Sequence, residues 1–350
     1  MNTEPLDAAG LADRLAGGLD ASVTALPDGS VDRRFGVEDA DGTVESGEAF
    51  GTRIAEGTGK SFRVDHRTTD PGGQSVNAAR QTHALGAPTT LFGHLDAAVF
   101  DTLAFETHSF GSPADVQVLE FSDTAVMLTE ESSDIQRWSL GEALDRAPAL
   151  ADALSADAVV FGNWASLPDG SASVRALAGR VDGTLVVDPG DVTICDTEEV
   201  PEFLDALAAV DGETVLSVNE NERAFLADGV AAADDAAGGT RKGARPDERA
   251  DALAAIRERA GLDAAVEHGT DAAIAVTEDG VTAVENPRVE RVERYVGGGD
   301  RFSGALAAAL GAGWSSTDAL ALGNVCATHY VGSGQTGSAD ELRTHLREQT

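Results

Sequence analysis

Residues Ala156–Asp191, "ADAVVFGNWASLPDGSASVRALAGRVDGTLVVDPGD", decide the fold. The stretch opens on an unbroken apolar string that ends in Gly-Asn. It passes through a segment with helical spacing and closes on a second apolar string ending in Asp-Pro-Gly. A strand with one face in water alternates polar and apolar residues, so continuous strings such as AVVF and LVV belong to strands covered on both faces. Two such strands joined by a helix make a parallel crossover. The rhythm continues outward: "SLGEALDRAPALADAL" is helical, "VPEFLDALAAV" is helical, "ETVLSVNENE" is a strand plus loop, and "DAAIAVTEDG" is one more strand. The pattern predicts an α/β architecture with a mostly parallel sheet and helices on both faces. Ligand sites in such sheets gather at the carboxyl ends of strands. Asn163, Asp188, Asn219 with Glu222, and Thr277 all fall at such ends.

The amino-terminal part has a different texture. Residues 1–20 read as an acidic amphipathic helix. From Ala21 to Arg67 the text is broken by DG, SG and GTG, which predicts short strands and hairpins. "SVNAARQTHALG" (Ser75–Gly86) predicts a helix closed by glycine, followed by a strand in "PTTLFGHL". Residues 115–130 predict a hairpin around Ser122–Asp123. Residues 228–250 are poor in large apolar side chains and predict a solvated insertion.

Charge is the compositional outlier. Sixty acidic residues face 25 basic ones, a net charge of −35, and the only lysines are Lys60 and Lys242. The acids are spread along the whole chain, so they describe a surface adapted to high salt rather than one cation-binding face. At molar salt the Debye length is about 3 Å, and repulsion among these carboxylates is screened. With no basic stripe to neutralise phosphates, nucleic acid is excluded as a partner class. No long apolar run or basic leader occurs, so neither a membrane partner nor export is expected. Cys195 and Cys326 lack metal spacing and are expected to be reduced, buried thiols of a cytoplasmic protein.

Two glycine-rich helix starts carry the chemistry. In "YVGGGDRFSGAL" (Tyr295–Leu306), Gly297, Gly298 and Gly299 precede Asp300 at the start of an Ala-rich helix. An aspartate N-cap would explain Asp300 but not the glycines. Residues without a Cβ let backbone N–H groups approach an anion, and the helix dipole adds positive potential. In "DPGGQSVNAARQTHALG", Gly72 and Gly73 precede a helix with Asn77 one turn inside it, where the amide both donates and accepts. Asp32, after the first strand, is placed to accept from hydroxyls. "GTGKS" (Gly57–Ser61) imitates a nucleotide phosphate loop, but Ile54 stands where that motif needs glycine and no helix follows, so it reads as a hairpin turn.

Together these strings resemble the ribokinase-like (PfkB) family of carbohydrate and nucleoside kinases across nearly the whole chain. "PGGQSVNAARQTHALGAPTTLFGHLD" is similar to the family's amino-terminal signature, "VGGGDRFSGAL" to its carboxy-terminal signature, and "SVNENERAFL" to its "N..E" motif. The resemblance implies one ribokinase-like domain over residues 1–350, a three-layer α/β/α sandwich with a small β lid drawn from about 30–70 and 115–130. It implies ATP and Mg²⁺ as cofactors and a small sugar or sugar acid as acceptor. Asp300 would be the catalytic base and Gly297–Gly299 the anion hole. Asp32, Gly72, Gly73 and Asn77 would bind the acceptor. Asn219, Thr277, Gly280 and Asn324 would border the nucleotide, and Glu222 would organise Mg²⁺ through water. A homodimer through the lid is a further expectation.

The chain departs from the family pattern at named places. Arg294 and Tyr295 stand where Asp-Thr is usual, Gly298 replaces alanine, Arg301 follows the aspartate, and the nucleotide strand is shortened to "VTEDG". Three alternatives are a nucleoside kinase of the same fold, an ADP-dependent sugar kinase, and a non-catalytic sugar-binding relative. A nucleoside needs an apolar shelf for its base, and the lid segments offer few aromatics besides Phe35, Phe50 and Phe62. The non-catalytic relative would lack the base that Asp300 supplies. Salt adaptation is testable directly: dialysis from molar KCl to low salt is expected to lower the melting temperature and then unfold the chain. An unchanged melting temperature would overturn it.

Overall fold

In the computed structural model, residues 3–39, 42–58, 61–236 and 248–348 are described. After helix α1 (Ala8–Ala16) come β1 (Val23–Leu26), β2 (Ser30–Asp39), β3 (Gly42–Thr43), α2 (Gly47–Ala55), β4 (Arg63–Gly72), α3 (Gln74–Ala84) and β5 (Thr89–Gly93). Next are β6 (Glu106–Ser109), β7 (Ala114–Glu120), β8 (Ala125–Glu130), α4 (Leu140–Arg146), α5 (Pro148–Ala153), β9 (Ala158–Gly162), α6 (Gly170–Arg175) and β10 (Thr184–Asp188). The carboxy-terminal part adds α7 (Val200–Leu207), β11 (Thr214–Val218), α8 (Glu220–Ala236), α9 (Glu248–Ala260), β12 (Ala264–His268), β13 (Ala272–Thr277) and β14 (Gly280–Glu285). It ends in α10 (Gly298–Gly311), α11 (Ser316–Ser333) and α12 (Ala339–Glu348).

Nine strands form the main sheet in the order β14-β13-β12-β11-β10-β9-β1-β5-β6. Pairing is parallel from β12 through β6, and β13 and β14 are antiparallel additions at one edge. The continuous apolar strings have the expected cause. Ala158 and Val160 of β9 enter one core with α3, α10 and α11, while Val159 and Phe161 enter the other with α7 and α9. Strands β10 and β11 divide likewise, Val186 and Val215 to one side, Leu185, Val187, Leu216 and Val218 to the other.

A second, five-stranded sheet runs β3-β2-β7-β8, with β4 also paired to β2. It comes from the segments in which a lid was expected. Its small core is Val37, Val44, Leu119 and Phe121, with Phe35, Phe50 and Phe62 packed on it.

Three expectations change. The 21–67 region is not all strand: Ser46 accepts from the Ala49 amide at 3.1 Å and starts α2, whose Ala49 and Phe50 pack on the small core. Gly47 and Gly51 hid that helix, because glycine lowers helix propensity. Of the GTGKS string, Gly57 and Thr58 close α2, while Gly59 and Lys60 lie outside the described residues. Of the insertion expected at 228–250, residues 228–236 belong to α8 and 248–250 to α9. Gly229 faces Val200, where a Cβ would come within 2.5 Å, and Val230 is buried. Residues 237–247 lie outside the described part. Cys326 is buried, but Cys195 is only partly so.

Helices α3 and α10 approach closely through Gly304. A Cβ there would lie 2.6 Å from the carbonyl oxygen of Ala78. Both helices start at glycine-rich turns, so this contact sets one turn against the other. Gly304→Val is expected to destabilise the fold by about 1–3 kcal/mol, the usual cost of overpacking. Denaturant melts in molar KCl check this, and an unshifted midpoint would contradict the close approach.

Candidate active site

The turn before α10 is built as its glycines require. Gly297 has φ +94°, a left-handed conformation, and a Cβ there would meet Arg301 Nη1 at 2.8 Å. Gly299 lies under the imidazole of His268, where a Cβ would come within 2.7 Å of Cε1. A Cβ at Gly298 would meet the Val331 methyl at 3.1 Å and the Ala327 carbonyl at 3.8 Å. Alanine could therefore stand at 298 with a small adjustment.

Arg301 is no surface residue. It is 1% exposed, stacks on the Tyr330 ring at 3.6 Å, and donates from Nη1 to the Gly297 carbonyl at 2.8 Å. It braces the turn from within. Asp300 sits in the first turn of α10 and caps nothing. Its Oδ2 accepts instead from the Asn77 amide at 2.8 Å. Burial raises the Asp300 carboxyl above its ordinary range, with Arg301 and the Asn77 hydrogen bond opposing the shift.

The Asn77–Asp300 hydrogen bond ties the helix of the second glycine turn to the first. Asp32 lies flat on Gly72, where a Cβ would be 2.1 Å from Oδ1. Ser30 Oγ donates to Asp32 at 2.6 Å, and Arg34 lies 3.9 Å away. Burial raises Asp32 above its usual value, opposed by Ser30 and Arg34 and reinforced by the charge of Asp300. Gly73 has φ +101° and sits on Gly29, with room for no Cβ. Asp32, Gly72, Gly73, Asn77, Asp300 and the Gly297–Gly299 turn therefore form one cluster.

Asp28 is the site residue that the sequence did not expose. It follows β1, is 3% exposed, and accepts from the Gln74 and Ser75 amides at 2.8 and 2.7 Å. It thus caps α3 from a distant segment, because Gly73 has no side chain to do so. Asn163, held at φ +61°, donates to Asp28 at 3.3 Å.

Beyond Asp300, Asp188 accepts from Gln74 Nε2 at 2.9 Å and Ser303 Oγ at 2.8 Å. Burial, then the charge of Asp300, pushes Asp188 up to about 7. Glu222 is raised well above its ordinary value by burial and then by Asp188. Asn219 and Glu222 bond reciprocally: the Asn219 amide N–H donates to Glu222 at 2.8 Å, and Asn219 Oδ1 accepts from the Glu222 amide at 3.0 Å.

Thr277 and Gly280 are not brought to this site. They pair across the β13–β14 turn, at the opposite end of the sheet from the glycine turns, and Thr277 Oγ1 is 3.4 Å from the Gly280 carbonyl. The strand that ends beside Gly299 is β12, whose last residue is His268. The sequence hid β12 because Glu267 interrupts its apolar pattern. In the fold Glu267 is fully buried and paired with Arg223 and Arg249. His268 packs 5.2 Å from the Phe302 ring, and burial pushes its pKa down to about 4, so the imidazole is neutral at pH 7. Asn324 lies at the carboxyl end of β14, where its amide nitrogen donates to the carbonyls of Val284 and Glu285 at 3.0 and 3.4 Å.

The chain has relatives. A profile of the prokaryotic ketohexokinase family matches residues 6–349. The ketohexokinase of Haloferax volcanii is 28% identical over 292 residues, which are 78% of this chain and 74% of that protein. The crystal structure of ribokinase from Thermotoga maritima superposes with a TM-score of 0.63 at 16% identity, covering 94% of this chain and 99% of that one. Adenosine kinase from Sinorhizobium meliloti superposes with a TM-score of 0.66 at 14% identity, covering 95% of this chain and all 100% of that one. These superpositions establish the ribokinase-like α/β fold.

Asp188 makes stability depend on pH. In the unfolded chain it titrates near 3.8, and in the native chain near 7, so the native state holds the proton that the unfolded state loses. Its contribution is complete below pH 3.8 and disappears as pH rises through about 7. In metal-free molar KCl, the melting temperature of Asp188→Asn is expected to fall less than that of the wild type between about pH 5 and about pH 8. Equal slopes would count against the buried proton.

Proposed function

The chain belongs to the prokaryotic ketohexokinase family and is a carbohydrate kinase; from that premise we propose that it transfers the γ-phosphate of ATP to a hydroxyl of a ketohexose, with Asp300 as base. One observation carries the proposal. The Asp300 carboxylate, at the start of α10 behind a glycine turn, is hydrogen-bonded to Asn77, whose own helix begins at the facing glycine turn. A base and a hydroxyl-binding amide thus meet where backbone N–H groups converge.

Asp32, Gly72, Gly73 and Asn77 hold the acceptor hydroxyls. Asp300 takes the proton as the acceptor oxygen attacks the γ-phosphorus and the bond to the ADP oxygen breaks. Burial brings the Asp300 pKa up towards working pH, where a base combines ionisation with basicity. The Gly297–Gly299 turn receives charge on the migrating phosphoryl group, and one such donor is worth about 2.7–4 kcal/mol of barrier. Arg301 keeps that turn in shape through the Gly297 carbonyl. The nucleotide lies along the carboxyl ends of β11 and β12, bordered by Asn219 and His268.

Mg²⁺ suits the donor set. The charge of Asp300 raises the pKa of Asp188, and both raise that of Glu222, a repulsion that a nearby cation would relieve. Among the described residues no three acidic, His or Cys side chains are grouped to hold a metal directly, which favours contact through water from Glu222 and Asn219. Held by these residues, Mg²⁺ would supply neutralisation of charge on the phosphates.

A sugar is favoured over a nucleoside by the use already made of the aromatics. Phe50 packs on Phe62 and Phe121 at 4.9 and 5.3 Å, so these rings fill the small sheet's own core and leave no shelf for a base. The small sheet serves as the lid over the acceptor, excluding water as a competing acceptor. Val64, Met127 and Leu128 are exposed on it and fit a homodimer joined there. The net charge of −35 suits a salt-rich cytoplasm.

The test is a phosphotransfer assay in concentrated KCl with ATP and with ADP, across ketohexoses, aldohexoses, pentoses, sugar acids and nucleosides. Ketohexose with ATP is expected to be preferred, and a nucleoside preference would overturn the acceptor class. Asp300→Asn is expected to fold and bind sugar but lose at least ~10²-fold in kcat. Turnover near wild type would remove Asp300 from the chemistry.

A further inference from the structure

Glu120 closes strand β7 and is only 9% exposed, yet three arginines from three segments converge on its carboxylate. Arg34 of β2 donates at 3.0 Å, Arg67 of β4 at 3.2 Å, and Arg294, in the loop before the glycine turn, at 3.0 Å. A carboxylate offers about four lone-pair positions, enough for three guanidinium groups. Gly36 gives Arg67 its path, since a Cβ there would come within 2.9 Å of Nη2. With 25 basic residues against 60 acidic ones, such a gathering is not what scattered surface pairing would produce.

The partners connect two functional parts. Arg34 also lies 3.9 Å from Asp32 and 3.6 Å from Asp70, on the strand assigned to the acceptor. Arg294 precedes Gly297 by three residues. Next to it, the Tyr295 hydroxyl donates to the Ser122 carbonyl in the β7–β8 turn. The small sheet therefore touches the lead-in to the phosphoryl site at two points. Both use residues where this chain carries Arg-Tyr in place of the usual Asp-Thr.

We propose that Glu120 is a positioning residue for phosphoryl transfer. By holding Arg34 and Arg294 together it keeps the acceptor strand in register with the Gly297–Gly299 turn, and Arg294 with Tyr295 closes that edge of the site to water. The proposal rests on the kinase activity proposed above. Small errors in alignment between acceptor and phosphoryl group cost large factors in rate. A loosened edge also admits water. Its oxygen then bonds to the γ-phosphorus, the bond to the ADP oxygen breaks, and the products are ADP, inorganic phosphate and a proton.

The test compares Glu120→Gln, Arg294→Met, their double mutant and Arg294→Lys in molar KCl, with ADP and phosphosugar measured separately. Each of the first two is expected to lower the kcat for phosphosugar at least ~10-fold, leave the KM for ATP within about two-fold, and release more than one ADP per phosphosugar. The double mutant is expected to be no slower than the slower single mutant, because both break one link. Arg294→Lys, which keeps one charged donor, is expected to recover part of the loss. Additive losses, or wild-type kcat with one ADP per phosphosugar in Arg294→Met, would overturn the proposal. Amide hydrogen exchange of Val296–Asp300 in the unliganded protein needs no turnover. Faster exchange in Glu120→Gln or Arg294→Met supports the link, and unchanged exchange in both overturns it. A wild-type chain inactive on every sugar would sink the proposed activity, while the exchange measurement would still decide the link.

Discussion

The contact between α3 and α10 is the constraint on which the site depends. Gly304 lets the two helices meet at backbone distance, with no side chain between its Cα and the Ala78 carbonyl. That approach sets Asn77 against Asp300 at 2.8 Å, across 223 residues of sequence. Everything the site does follows from two helix starts facing one another. In the proposed reaction one presents amides to a phosphoryl group, the other presents an amide to hydroxyls, and Asp300 lies between them. Each turn uses glycine at a left-handed position, Gly73 at φ +101° and Gly297 at φ +94°.

The electrostatics follow from this crowding. Asp28, Asp32, Asp188, Glu222 and Asp300 gather at the carboxyl ends of the central strands, in a chain already rich in negative charge. Burial raises the pKa of Asp32, Asp188, Glu222 and Asp300, and mutual repulsion adds to it. Two amides at the start of α3 receive the charge of Asp28. The few cations are concentrated in response. Arg301 stacks on Tyr330, with which Arg34 also interacts, and Glu267 takes Arg223 and Arg249. Arginine suits these places because its planar fork holds several acceptors and is weakly hydrated.

Exposed and buried carboxylates carry their charge in opposite ways. Surface carboxylates remain hydrated and are screened, and each contributes little by itself. The buried groups are beyond the reach of screening, so each needs a designated partner. Removing one member of such a pair leaves an uncompensated charge, which is why buried pairs in this chain mark places where the structure tolerates little change.

Local chemistry determined much of this protein from sequence alone. Continuous apolar strings encoded strands buried on both faces, and GGGD and PGGQSVN encoded the two turns, because strand burial and left-handed backbone are properties of a few adjacent residues. The site residues on those turns were legible for that reason. The placements that failed depended on partners far along the chain. β12 was obscured because Glu267 looks like a surface residue until Arg223 and Arg249 are folded against it, and with β12 unseen, Thr277 and Gly280 were assigned to the wrong end of the sheet. Asp28 caps a helix 46 residues away, and Arg294 finds Glu120 across 174. Only the tertiary structure could decide these, because a buried charge is stable only beside its partner, and which partner arrives is settled by how the sheets and helices pack.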